Sequence, residues 1–441
     1  MLRQISASSV ALAALALSWI PPIASEAAPP ADWSTIPETR LTLFYPGQSS
    51  YEWLRSRAHP GSRMVRRGAA CVRCHEGRQR RMGESIVDGG RLEPAPIPGK
   101  KGSVQLVVQA AHDDQNLYLR FQWQTQADRP GAMHSYMRYT GSEWEFYGGP
   151  RSSEQVRHGQ EPPLYEDRLA IMVDDGDIPN FAEQGCWQSC HDDMRDMPDE
   201  PSPEEVASHP YLGRDGLGKD DIRKYLPSSR AGRGKDWDSV KPAEAITRIR
   251  ENGGFADLMQ WRAARSNPVD MADDGYVLAY RRSDSGQGPY RWNVDRETMQ
   301  PRYMFDERTV GRHSLTVGTI GDPSLPVAVI REENAVPYDP DADWEKGDVL
   351  PGRLLSRADT RGSAADNDRV RGEWESGKWT IVWTRPLDTG HDDDVAFAEG
   401  REYTFGFSVH DDNVTTRFHF VSFPVTLGIG RQADITAVTL D

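Results

Sequence analysis

Cysteine is scarce: four residues in a chain of 441, all of them inside two short motifs. A disulfide-dense secreted scaffold is therefore excluded. No apolar run after the amino terminus reaches the roughly 20 residues that a membrane-spanning helix needs. Positive charge is also in deficit, with 52 Lys and Arg against 67 Asp and Glu and a net charge of −15. No basic stripe interrupts the acidic background, which argues against nucleic acid and against anionic membrane surfaces. There is no nucleophile elbow, no phosphate-cradling glycine loop and no zincin pair, so the sequence offers no ordinary catalytic constellation.

What the cysteines do form is specific. Cys71-Val72-Arg73-Cys74-His75 has two thiols on one turn followed at once by an imidazole, and Cys186-Trp187-Gln188-Ser189-Cys190-His191 repeats the arrangement with one extra residue between the thiols. Covalent haem attachment needs this chemistry: each thiol adds to a porphyrin vinyl group and the adjacent histidine ligates iron. The sequence thus predicts two haems c, held by Cys71 and Cys74 and by Cys186 and Cys190, with His75 and His191 as proximal ligands. The competing readings are disulfides, or one zinc site built from all four thiols, which leaves both histidines unexplained. They would make the chain a secreted binding module without haem.

Each iron then lacks a sixth ligand. His59, in the Ala58-His59-Pro60-Gly61 turn, is the choice for the first haem, ahead of Met64 and Met82. His134 is the choice for the second, with Met133, Met194, Met197, His410 and His419 as alternatives. Four histidines precede Asp-Asp, at positions 112, 191, 391 and 410. Asp is a turn former, and these runs read as turns rather than metal motifs. Asp174-Asp175-Gly176-Asp177 lacks the full spacing of a calcium loop.

The first 27 residues read as a signal peptide, with Arg3, an apolar core over 10–20 and a small-residue cleavage site at Ser25-Glu26-Ala27. Bacteria attach haem outside the cytoplasmic membrane, so the expected location is the periplasm. Residues 28–102 read as a small, mostly helical haem module. Ser49-Ser50-Tyr51-Glu52 opens a short helix there, and the Pro- and Gly-rich stretch 94–102 closes it.

Residues 103–441 read as a β-sandwich with helical and long-loop insertions. Val104, Leu106, Val108 and Ala110 alternate with other residues, turn at His112-Asp113-Asp114, and alternate again through Leu117, Leu119, Phe121 and Trp123. A similar hairpin runs from Tyr403 through His410-Asp411-Asp412-Asn413 to Phe420. Further strands are expected at 168–173, 275–282, 327–331 and 379–384, helices at 203–208, 220–226 and 255–265, and surface loops at 195–250 and 335–375.

The run Asn116-Leu117-Tyr118-Leu119-Arg120-Phe121-Gln122-Trp123, then Asp167 to Val173, then Phe181 with Gly185 and the second cysteine motif, then Asp257-Leu258-Met259-Gln260-Trp261 and the closing hairpin carry a resemblance. Over residues 104–435 the chain resembles the haem-binding domain of ethylbenzene dehydrogenase-related proteins, also called the cytochrome c-552/DMSO reductase-like haem-binding domain. The resemblance implies a β-sandwich that binds a haem and passes electrons. In the enzyme-subunit branch the haem is held without covalent bonds by a methionine and a lysine and serves a molybdenum oxidoreductase. Cys186, Cys190 and His191 depart from that branch, so those two ligands transfer to no residue here. The expected function is that of a dihaem c-type cytochrome in a respiratory chain, an electron carrier rather than a catalyst, with redox proteins, a molybdenum oxidoreductase or another cytochrome among them, as partners.

Overall fold

A computed structural model describes residues 28–125, 135–320, 329–367, 369–415 and 418–440. Thirteen of the strands among them join in one sheet. They are β1 (Thr39–Phe44), β2 (Ser103–His112), β3 (Asn116–Gln124), β4 (Arg168–Asp174), β5 (Ala256–Arg262), β6 (Gly275–Val277) and β7 (Arg281–Ser283), then β8 (Val370–Glu375), β9 (Lys378–Pro386), β10 (Glu402–His410), β11 (Phe420–Val421), β12 (Val425–Ile429) and β13 (Ile435–Thr439). One layer runs β8-β9-β3-β2-β1 and the other β11-β10-β4-β5-β6-β7, joined where β1 meets β11 at Phe44 and Val421. β12 and β13 bridge β10 to β2 further along the same seam.

The sheet folds on itself into a sandwich because the alternating residues of both layers are large and apolar. Phe121 of β3 meets Phe407 of β10 edge-on at 5.8 Å, and Trp123 meets Trp261 of β5 at 6.1 Å. Both expected hairpins form. Asp113 Oδ1 caps the first turn by accepting from the backbone N–H of Gln115 and Asn116. Trp261 is fully buried in this core, so Trp261→Ala is expected to cost about 3–5 kcal/mol, read as a lowered denaturation midpoint.

Several expectations on local structure are corrected. Residues 255–265 form strand β5, not a helix. Every residue of β5 is buried, and a strand covered on both faces shows no two-residue alternation, so Leu258, Trp261 and Ala264 mimic helical spacing. Residues 220–226 form no helix either; they are irregular, ending on an extended Leu226. Leu226 precedes Pro227, which disfavours helix, and its N–H bonds instead to the carbonyl of Leu278 at 2.7 Å. The single strand expected at 275–282 is the β6–β7 hairpin, and at 327–331 the described strand is Ile330–Arg331.

The supposed loops at 195–250 and 335–375 carry structure. The helix expected at Pro203–Ser208 forms in the first, and a further helix, Ala243–Glu251, follows it. Strand Asp348–Pro351 in the second pairs with Tyr136–Tyr139, and a four-stranded sheet forms over a core that includes Met137, Phe305, Leu350 and Leu355.

Residues before 103 supply β1 to the main sheet, paired with β2 over six residues. They also supply the short helices α1 (Tyr51–Arg55), α2 (Ser62–Val65), α3 (Val72–His75) and α4 (Gln79–Val87). Ser50 caps α1 by accepting from the Trp53 N–H at 2.9 Å. Gly83 of α4 packs so closely on Gly102 that an added Cβ would lie 1.8 Å from its carbonyl oxygen, which fixes α4 against the start of β2.

Candidate haem sites

The first motif lies on the turn of α3, anchored by the Cys71 N–H bonding to the Glu183 carbonyl at 3.0 Å. Neither thiol is in a disulfide; Cys74 is exposed, and burial beside Cys186 pushes the Cys71 thiol up to about 12. His59 is buried next to it. Its Nδ1 lies 2.9 Å from the Leu54 carbonyl oxygen, which accepts the Nδ1–H hydrogen bond and leaves the lone pair of Nε2 to point elsewhere. The His59 and His75 rings have centroids 6.2 Å apart with planes 28° from parallel. Two imidazoles bound to one metal from opposite sides, at about 2 Å per bond, have centroids about 6 Å apart. Burial and the neighbouring His59 and Arg78 hold His75 below its ordinary value, so it is neutral as a ligand must be. These residues fit a haem iron.

The second motif follows a sharp left-handed backbone at Gly185, φ 58°. Pro424 fills the space a Cβ would take there, only 2.8 Å away. Cys186 and Cys190 open onto a cavity of about 530 Å³. Its wall beside the thiols is apolar, with Ala170, Met172, Leu258 and Gly406; farther along β10, β4 and β5 it turns to His410, Arg168 and Arg262. Among the described residues the lining holds no carboxylate and ten cations, including Arg168, Arg281, Arg353 and Lys224. Burial drives the Arg168 and Arg281 guanidinium groups down to about 10 and Arg353 to about 9. An acidic protein thus encloses a cavity poor in negative charge, apolar at the thiols and cationic beyond them. Such a cavity suits an amphiphilic anion like porphyrin with its carboxylate edge.

His191 does not face that cavity freely. Its Nδ1 bonds to Glu52 Oε1 at 2.7 Å, and its Nε2 lies 3.0 Å from the carbonyls of both Gln188 and Tyr225. The ring stacks on Tyr225 at 3.7 Å. Both nitrogens therefore donate to the protein. Burial raises the Glu52 carboxyl, but the bond and charge of His191 outweigh this and leave it below the usual range. The thiols and the cavity fit a haem; the His191 imidazole, in this position, does not reach one.

Of the sixth-ligand candidates, His134 and Met133 lie outside the described residues. Met64 is exposed, and Met197 packs in a separate core with Leu212 and Tyr225. Met194 lines the cavity while its sulfur accepts the His191 N–H at 3.3 Å. His410 and His419 stand in the cavity wall with rings 4.6 Å apart, and His410 is buried with Nδ1 lacking a partner.

The two motifs, distant in sequence, meet. Cys71 and Cys186 pack in one apolar cluster with Phe44, Leu54, Val65, Trp187 and Phe423. Phe44 stacks on Trp187 at 5.6 Å, and Phe423 stacks on His75 at 6.2 Å. The Tyr51 N–H also bonds to the Cys190 carbonyl at 2.7 Å. Sequence reasoning missed the cationic wall. Its only local signal was arginine at positions 168 and 262, at the ends of strands that are otherwise buried and apolar. Among the described residues the four thiols do not converge with each other as a zinc set would require.

The chain is 28% identical to cytochrome c-552 of Stutzerimonas stutzeri over 413 residues, 93% of this chain and 91% of that protein. It is 32% identical to cytochrome c-551 of Rhodocyclus tenuis over 167 residues, 38% of this chain and 58% of that one. The family model described as ethylbenzene dehydrogenase matches residues 31–422, which takes in the Cys71 motif as well as the sandwich. By that match the chain belongs to the ethylbenzene dehydrogenase family.

Proposed function

We propose that this protein is a periplasmic dihaem c-type cytochrome that carries electrons in a respiratory chain. The observation that supports it most is the packing of Cys71 and Cys186 in one cluster, with the His59–His75 pair beside it. Bound at both motifs, haem supplies one-electron storage at two adjacent irons. Cys71 and Cys74 anchor the first haem and His75 and His59 ligate its iron, with the Leu54 carbonyl fixing the tautomer of His59. Cys186 and Cys190 would anchor the second in the cavity on the outer face of the β10-β4-β5 layer, where Arg168 and Arg353 would neutralise its carboxylates. His191 ligates there if its Nε2 leaves the Gln188 and Tyr225 carbonyls, with Glu52 retained behind Nδ1 as the orienting carboxylate.

Residues 1–27 direct export, and residues 28–102 form the amino-terminal haem-bearing part docked through β1. No helix among the described residues is long and apolar enough to cross a membrane. The net charge of −15 suits a basic redox partner, for which we infer a molybdenum oxidoreductase or another cytochrome.

The test is a spectroelectrochemical titration of protein made with a haem-attachment system, followed by carbon monoxide on the reduced form. Two reversible one-electron steps and an unchanged spectrum under carbon monoxide are expected for a relay. A large carbon monoxide difference spectrum would favour a haem enzyme with one open iron, a reading to which the engagement of both His191 nitrogens lends support.

A further inference from the structure

Away from the thiols, five aspartates from three parts of the chain converge in the interior. Asp257 comes from β5, Asp274 and Asp284 flank the β6–β7 hairpin, and Asp393 and Asp394 lie in the connection from β9 to β10. All five are more than nine-tenths buried. Asp257, Asp274 and Asp394 each offer one oxygen within 4.8 Å of the others, and Asp284, Asp393 and Asp394 form a second such set that shares Asp394.

The protein does not satisfy this charge. Arg385 of β9 donates to Asp257 Oδ2 at 3.0 Å, Ser363 to Asp393 Oδ2 at 3.0 Å and Thr389 to Asp394 Oδ2 at 2.7 Å, while Asn367 donates to Asp274. One guanidinium, bonded to only one of the five carboxylates, leaves a large negative surplus. Asp257 Oδ1, Asp394 Oδ1 and both oxygens of Asp284 are buried without any hydrogen-bond partner. Burial and mutual repulsion raise Asp257, Asp274 and Asp284 well above the carboxylate range. Buried, unpartnered carboxylate oxygens are costly unless something compensates them.

We propose that Asp257, Asp274, Asp284, Asp393 and Asp394 form a calcium site that pins the β9–β10 connection to the β5-β6-β7 end of one layer. Calcium takes six to eight oxygens at about 2.3–2.6 Å, so oxygens on one ion lie up to about 5 Å apart, as both sets do. Asp284, with two free oxygens, is a bidentate ligand, and Asp257 and Asp394 each give one free oxygen. Magnesium fits less well, because it demands near-ideal octahedral geometry and keeps several waters. The site is independent of the haem reading, since none of its ligands lines the cavity beside the thiols.

The experiment uses haem-loaded full-length mature protein, stripped with EDTA and titrated with CaCl2 by calorimetry, with thermal melts in EDTA and in CaCl2. One calcium per chain is expected, with a dissociation constant on the order of 10⁻⁶ to 10⁻⁴ M. The melting temperature should rise with calcium and rise much less with magnesium. Asp284→Asn and, should it misfold, Asp394→Asn should weaken binding at least about tenfold with the haem spectrum intact. Absence of binding heat together with identical melts in EDTA and calcium would overturn the proposal. So would undiminished calcium binding in both variants, or variants more stable than the parent and indifferent to calcium, which would mean that the acids share protons instead.

Discussion

His59→Met is expected to raise the midpoint potential of one haem by an amount on the order of 0.1–0.3 V, within the span of about 0.8 V that axial ligands command. Thioether ligation favours the reduced iron, whereas imidazole favours the oxidised one. The second haem should keep its potential, so the titration separates into two well-resolved steps. His59→Ala should open the same iron to carbon monoxide. The physical basis is the Leu54 carbonyl, which holds Nδ1 and leaves Nε2 available, and the 6.2 Å separation from His75. If His59 were merely a packed turn histidine against Trp53, both variants would leave the potentials unchanged. Potentiometry on the two variants decides between these outcomes.

The second large effect is an asymmetry between the two attachment sites. Cys71→Ala with Cys74→Ala, and Cys186→Ala with Cys190→Ala, should each remove one haem. Only the second pair should also lower the melting temperature, by about 10 °C or more, which for a protein of this size reflects a loss of several kcal/mol. The reason is location. The first motif sits on the surface, where Cys74 is exposed and His75 is half-buried. The second opens into a cavity of about 530 Å³ on the outer face of the β10-β4-β5 layer, where Arg262 and Arg265 are paired with Asp273 and Glu166 but Arg168 and Arg353 are buried with no carboxylate partner among the described residues. An empty cavity of that size with uncompensated cations is costly on both counts. Differential scanning calorimetry of the two double variants, with haem content measured on the same samples, gives the comparison.

Much of the fold is legible in the sequence where a strand has one face in the core and one outside. The β2–β3 hairpin and the last hairpin alternate cleanly, and Asp113 marks the first turn. Legibility fails in β5, where apolar residues fall at helical spacing, whereas β4, buried along its whole length too, is still legible as a short apolar run; it also fails where chain pairing is not local. Nothing near position 44 announces that Phe44 will join the two layers by pairing with Val421. The four-stranded sheet that holds Asp348–Pro351 is hidden for the same reason: its strands are two to four residues long, and Asp348–Pro351 pairs with Tyr136–Tyr139 from the other half of the chain.

The candidate sites divide in a similar way. Covalent attachment chemistry is written locally, in two thiols and a histidine. Ligand pairing is not, and the choice of His59 from a rigid turn rested on a feature that the fold then brought beside His75. His191 shows the limit of motif reading, because spacing specifies which residue follows the thiols but not which carbonyls its nitrogens meet. His391-Asp392-Asp393-Asp394 reads as a turn in one dimension, yet two of its acids enter the buried aspartate cluster. Cationic and acidic clusters of this kind are assembled from several strands, and one strand at a time they look like isolated charges.

The most direct test of the account is the number of covalent haems on the mature wild-type chain, measured by pyridine haemochrome absorbance against protein concentration and by intact mass. Two haems per chain are predicted. One haem would leave the cavity beside Cys186 and Cys190 to another ligand and end the relay, and none would contradict the reading of both motifs.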